Sequence, residues 1–289
     1  MVRITRRQVT QTKKFLTGKG GSMAASASAS RSEVKKQPPR RGIRRERIIQ
    51  AVAIIVVLIA WELAGRQLGV FILAPPSSLV AAFSEMMGTG ELQKALMDSS
   101  VGLVLGFGFA AFFGVAIGFL MGTYRSVATI MDPFVSALYV VPIAALVPLI
   151  IVWTGIGLTP RVLTVTLFAV FEILIATYTG VRGVNQRLID MARSFGANQR
   201  QLFRHVVFFG ALPVIFAGLR IGAGRAIKGM VIAELLFAVT GLGGLVLTHS
   251  HYYRTDKVLV VVVVISLLGV IFVSLVQLAE RKLAPWWHD

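Results

Sequence analysis

Long apolar runs separated by short polar ones set the pattern of this chain. They fall at residues 48–65, 98–122, 133–153, 162–181, 213–239 and 258–278. Crossing a bilayer takes roughly 20 apolar residues in a helix, so the pattern predicts an all-α polytopic membrane protein with six transmembrane helices. The first run is short by that measure, and Glu62 near its end is expected at the outer interface. Residues 66–97 are expected outside, where Pro75-Pro76-Ser77 opens a short amphipathic helix with Leu79, Phe83 and Met86 inward. In the second run, Gly102 and Gly106, then Gly114, Gly118 and Gly122, recur every fourth residue. They form a flat face for close backbone approach, better suited to packing within the subunit than to a homodimer seam. Tyr124, Arg125 and Asp132 mark a short turn. Pro142 and Pro148 break the third run; each removes a backbone bond, which is tolerable only where protein or a water-filled cavity covers it. A glycine-rich loop and His249-Ser250-His251-Tyr252-Tyr253 follow the fifth run.

One polar stretch is longer than the rest. Residues 182–213, between the fourth and fifth runs, carry five arginines against one aspartate. Leu188, Ile189, Ala192 and Phe195 make an apolar stripe at helical spacing, with Arg187, Asp190 and Arg193 opposite. Gly196 is expected to stop this first short helix in a left-handed cap. Asn198 is expected to cap a second, with Gln201 in capping-box position. Pro213 would then open the next span as its first residue.

Asp190-Met191-Ala192, then Gly196, then Leu212-Pro213 resemble the EAA loop of ABC-importer permeases. That family usually has glutamate where Asp190 stands and alanine where Met191 stands. The resemblance extends over residues 72–287 through Leu73-Ala74-Pro75-Pro76, Val141-Pro142 to Pro148, Met191 to Gly196, Ala233-Glu234 and Gly241-Leu242-Gly243. It is nearest to the branch importing aliphatic sulfonates, taurine, nitrate or bicarbonate. The resemblance implies a type I ABC-importer permease fold. It also implies that the loop 182–213 docks on an ATPase, with Asp190, Met191, Ala192, Gly196 and Pro213 as coupling residues. Implied partners are two ATP-binding cassette ATPase subunits, a second permease copy in a homodimer, and an extracytoplasmic solute-binding protein. The implied location is the bacterial cytoplasmic (inner) membrane.

Composition agrees with the pattern. The 289 residues are 55% hydrophobic and 15% charged, below the ~25% charge usual in soluble domains, with a mean hydropathy of +0.75. No cysteine is present, so disulfide and thiolate chemistry are excluded. A net charge of +17 would suggest nucleic acid in a soluble protein. Here 14 of the 30 Lys and Arg lie in residues 1–47 against Glu33 and Glu46 alone. That is the positive-inside signal, which with six spans puts both termini and the arginine-rich loop in the cytoplasm, with no nucleic-acid partner. Residues 1–47 are expected to be a disordered basic tail, either lying near anionic lipid or shortened by a translation start at Met23. Residues 48–284 are expected to be the permease domain and 285–289 a short tail, with Trp286 and Trp287 as interface anchors.

Phosphate-loop chemistry is absent from the sequence; in the run from Gly224 to Gly229, Lys228 precedes its glycine. ATP hydrolysis is therefore expected on a separate subunit, and no cofactor is expected on this chain. His249 and His251 have no carboxylate or thiol at ligand spacing and read as an interfacial loop rather than a metal site. The informative groups are charges at membrane depth. Counting ~1.5 Å per residue from Pro213 places Arg220 about 10 Å in, Arg225 about 18 Å and Lys228 about 22 Å. Glu172 sits halfway through the fourth run and Glu234 late in the fifth. In one reading Glu172 pairs with Arg225 or Lys228 and clips two helices together. In the other, Arg225, Lys228, Glu172, Glu234, Pro142 and Pro148 line a translocation path, and the two cations attract an anionic solute. A rival class is an ATP-independent channel or proton-coupled carrier using Glu172 and Glu234. It expects matching broken helices in two halves, whereas only the Pro142/Pro148 segment is kink-rich. A mere membrane anchor explains neither the buried charges nor the loop.

Overall fold

A computed structural model describes residues 41–237 and 240–284. Among them every regular element is helical: α1 (Arg41–Leu68), α2 (Pro76–Gly88), α3 (Glu91–Thr123), α4 (Arg125–Val140), α5 (Ile143–Thr154) and α6 (Leu158–Arg182) come first. They are followed by α7 (Gln186–Ser194), α8 (Gln199–Gln201), a π-helical turn (Leu202–Val207), α9 (Phe208–Phe237), α10 (Gly241–His251) and α11 (Thr255–Leu283). The chain separates into two units, residues 1–55 and 56–289. Among the described residues five helices are long and apolar enough to cross a membrane, and a sixth span arises if α4 and α5, bent by 96°, are counted together.

The core of the second unit is α6 held between α3 and α9. Leu103, Ala110, Val165, Ala169, Ile173 and Met230 fill it. Glycines let the backbones come this close. A Cβ on Gly114 would lie 2.9 Å from that of Ile173, and one on Gly118 would press on the Leu174 carbonyl and Thr177. From the other side Gly218 and Gly222 of α9 meet Ala176 and Ile173. The glycine face of α3 is therefore spent inside the subunit, against α6.

Several boundaries differ from the sequence pattern, each for a physical reason. α1 begins at Arg41, seven residues before the apolar run, because the intervening arginines and Glu46 are good helix formers. The expected turn at Tyr124, Arg125 and Asp132 is confined to Tyr124; Arg125 starts α4 and Asp132 lies inside it. Phe83 is 44% exposed, and Ala82 takes the inward place beside Met86. Only Pro142 breaks the third run, since Pro148 is accommodated within α5. Pro213 is not the first residue of its helix but lies inside α9. The widened turn just before it, where the Phe208 N–H reaches the Phe203 carbonyl, leaves slack for a ring with no N–H to offer. The basic tail before Arg41 and the anchors Trp286 and Trp287 lie outside the described residues.

The largest departure is α10, a helix where the pattern suggested a loop. His249 is buried within it, 3.7 Å from Glu91. Among the described residues no group of three or more metal-binding side chains occurs. Nearby, Lys257 (3.0 Å) and Arg254 (3.3 Å) converge on Glu85 and hold its carboxyl below the usual range.

Candidate functional site

The bend at Val141-Pro142 opens a cavity of about 370 Å³ between α4, α5, α6 and α9. Tyr139, Pro142, Phe168, Phe171, Glu172 and Arg225 are among its walls. A proline there cannot continue α4, so the chain turns and leaves space beside α6. The Arg225 guanidinium lies 3.0 Å from Glu172 Oε1, with side chains 49% and 19% exposed. Arg220 is tied separately, 3.7 Å from Glu280 of α11. Lys228 is exposed on α9 and forms no ion pair among the described residues. Ile221, Arg225 and Lys228 recur at helical spacing, so α9 presents one exposed face carrying two cations, of which Arg225 is paired with Glu172.

The structure thus brings Glu172, Arg225 and Pro142 to one cavity. It places Pro148 and Glu234 elsewhere. Glu234 is fully buried, and its carboxylate accepts hydrogen bonds from Ser99 Oγ (2.7 and 2.9 Å) and from the Gly243 N–H (2.9 Å). Ser99 Oγ in turn accepts from the Leu242 N–H at 2.8 Å. Arg161 lies 3.8 Å from the same carboxylate and donates to the Asp98 carbonyl at 3.4 Å. These bonds satisfy free N–H groups in the first turn of α10, which is why that stretch is helical. Gly241, at φ +83°, has room for no side chain, because a Cβ would run into the Glu234 carboxylate.

Sequence reasoning missed Ser99, Arg161 and Tyr139. The available signal was Gly241-Leu242-Gly243 soon after a buried glutamate. Nothing local marks Ser99, whose partners lie 135 and 143 positions away.

The loop has its own geometry. Asn185 Oδ1 accepts from the Arg187 N–H and starts α7. Gly196 takes φ +79° just beyond its end. Asn198 and Gln201 bond reciprocally at 2.9 Å in the capping box of α8. The apolar stripe divides: Ile189 packs beneath, near Val181, Val207 and Ala211. Leu188 (49% exposed), Met191 (58%) and Phe195 (86%) face outward. With Ala192, His205 and others they border a shallow recess of about 400 Å³. Asp190 is bonded locally, to Gln186 at 3.0 Å and near Arg193 at 3.9 Å. Pro213 lies within α9, between the buried Leu212 and Ile215.

Comparison with known proteins extends this picture. The family model for the binding-protein-dependent transport system inner membrane component matches residues 110–285. The chain is 32% identical over 256 residues to a putative aliphatic sulfonates transport permease protein of Bacillus subtilis (strain 168), covering 88% of this chain and 92% of that protein. It is also 32% identical to a taurine transport system permease protein of Escherichia coli (strain K12), covering 80% and 86%. A riboflavin transport system permease protein of Chloroflexus aurantiacus is 31% identical, covering 81% and 88%. Among solved structures, the crystal structure of an amino acid ABC transporter with histidines is similar in fold, with a TM-score of 0.57 at 16% identity, covering 69% of this chain and 97% of that one.

Proposed function

This chain belongs to the family of inner-membrane components of binding-protein-dependent transport systems, and from that premise we propose that it forms the path of an ATP-driven importer for a small anionic solute of the sulfonate or taurine kind. The observation that carries the anionic reading is the α9 face bearing Arg225 and Lys228. A charge near the bilayer centre costs roughly 2.5–3.5 kcal/mol on insertion scales. Such a face is therefore expected against water or a second subunit, not lipid. Glu172 balances one cation, and Lys228, about one turn further along α9, leaves positive potential on the same face. Two copies with these faces opposed would enclose a central path. Glu234 and Pro148 act behind it: their neighbours Ala233 and Val147 pack together, joining α9 to α5.

The loop supplies the drive. The exposed Leu188, Met191 and Phe195, on a short helix hinged at Gly196, suit a groove on a cytoplasmic ATPase. Asp190, Met191, Ala192 and Gly196 form the contact, and α9 through Pro213 carries its motion into the membrane. ATP-driven closure of two ATPases would swing the loops and turn the path outward, toward a binding protein that delivers the solute. In this reading the chain lies in the bacterial cytoplasmic membrane, with the basic residues 1–47 and the tail 285–289 on the cytoplasmic side. No covalent step occurs on it. Against a proton-coupled carrier stands the engagement of both candidate carboxylates, Glu172 by Arg225 and Glu234 by Ser99 and Gly243.

The test is uptake of labelled taurine by the assembled complex in vesicles. Arg225→Ala and Lys228→Ala are expected to lower uptake at least tenfold, about 1.4 kcal/mol, while the complex still assembles and hydrolyses ATP. Loss of assembly instead would mean that the charges only fasten α6 to α9.

A further inference from the structure

A second cavity, of about 270 Å³, opens between α4 and α6 at the end of α6 that runs into the loop. Arg125, Thr129 and Asp132 of α4 and Tyr178 and Arg182 of α6 line it. It is distinct from the Arg225 cavity: six to ten residues separate Glu172 from Tyr178 and Arg182, about 9–15 Å along the helix.

Its charges are unspent. Among the described residues neither Arg125 nor Arg182 forms an ion pair, and neither does Asp132. Arg182 is held from one side, its guanidinium 5.6 Å from the Tyr178 ring centroid, a cation–π contact that leaves the N–H edge free. The Thr129 hydroxyl donates to the Arg125 carbonyl at 3.0 Å, so its lone pairs, not its proton, face a ligand. Two guanidinium groups across a small cavity match a tetrahedral oxyanion, which accepts paired N–H bonds. The carboxylate on the α4 wall would repel a simple anion and calls for a cation on the same ligand. The exposed Ile130 (64%) and Phe134 (60%) on the outer side of α4 place the cavity within reach of lipid.

We propose that this cavity binds a zwitterion with a tetrahedral oxyanion and a primary ammonium group, the oxyanion on Arg125 and Arg182 and the ammonium on Asp132. The chemistry is shared by two sources, the headgroup of a phosphoethanolamine lipid and a free aminoalkyl sulfonate or phosphate. The assignment goes beyond the transport reading and does not depend on it. A ligand here bridges α4 to α6 next to Gly183, where the loop departs.

The full chain would be reconstituted in vesicles of equal phosphatidylethanolamine and phosphatidylglycerol, extracted in mild detergent and weighed intact by native mass spectrometry. In parallel, equilibrium dialysis would measure binding of labelled taurine and of ethanesulfonate, which lacks the amine. Retained phosphatidylethanolamine identifies the lipid source, and saturable taurine binding that persists in Arg225→Ala identifies the free solute; either supports the site. Arg125→Ala and Arg182→Ala are expected to weaken the bound species roughly tenfold. Asp132→Asn is expected to erase the preference for phosphatidylethanolamine over phosphatidylglycerol, or for taurine over ethanesulfonate. Should the alanine variants unfold, Arg182→Lys keeps the charge but loses the paired bonds, and is expected to weaken binding in a chain with an unchanged unfolding midpoint. The proposal is overturned if the wild type retains neither ligand, prefers phosphatidylglycerol, or binds no better than the folded arginine and Asp132→Asn variants.

Discussion

Ser99 and Glu234 are 135 positions apart in sequence and meet at 2.7 Å in a site from which water is excluded. The serine hydroxyl serves both the carboxylate and the Leu242 N–H, so Ser99→Ala leaves two buried groups short of a partner. Each such loss costs about 1–3 kcal/mol. A clear fall in the thermal unfolding midpoint in detergent is expected, and an unchanged midpoint would show that the knot adds no stability. His249 makes a different residue-scale prediction. Burial holds its imidazole below 6.5, outweighing Glu91, which acts in the opposite direction. The unfolded chain therefore takes up a proton as pH falls through 6.5, while the folded chain does so only at lower pH. The stabilisation is complete above 6.5 and is lost as pH drops toward the folded value. His249→Gln should flatten the slope of stability against pH just below 6.5, as read by unfolding scans at stepped pH.

At the scale of elements, what was legible in the sequence is what is local. Over their described residues the six apolar runs reappear in helices apart from the break in the third, which follows from the missing N–H of Pro142, and Gly196, Asn198 and Gln201 act as their positions suggested. What escaped depended on distant partners. α10 reads as a loop until Glu234 and Ser99 arrive to cap it, and Pro213 reads as a helix start until packing carries α9 through it. In the candidate site, a Glu172 pairing with Arg225 or Lys228 was legible from depth, though the choice of Arg225 was not; nor were Tyr139 and Phe168, since only the bend turns them into one cavity. The loop hinge carries a prediction of its own. Gly196 has open space around its Cβ position, so Gly196→Val is opposed by φ +79° alone, which a β-branched residue adopts only under strain. The variant should assemble yet lose coupling, with ATP hydrolysis by the complex persisting while solute uptake falls. Normal uptake would remove the hinge from the mechanism.

At the scale of the whole molecule, the exposed apolar side chains include two groups with different expected partners. Those along α11, such as Leu267 and Ile271, lie on a candidate membrane span and suit lipid. Phe195, Met191 and Leu188 lie on a polar segment between spans and suit protein. Phe195→Asp should therefore abolish co-purification of an ATPase subunit without lowering the amount of folded chain in the membrane; retention of the ATPase would move the docking surface elsewhere.

The glycine contacts between α3 and α6 bear on how such a push could spread. Backbone there is seated directly against Val165, Ile173 and Val181, with no long side chains to act as a cushion. Sliding one rod along the other would drive methyl groups into carbonyls at every turn, so the two travel as a single strut about 37 Å long. Under the proposed coupling, any give would be confined to the joints, the Val141-Pro142 elbow and the widened turn before Phe208, and a push arriving at Arg182 would reach the far end of α6 undiminished.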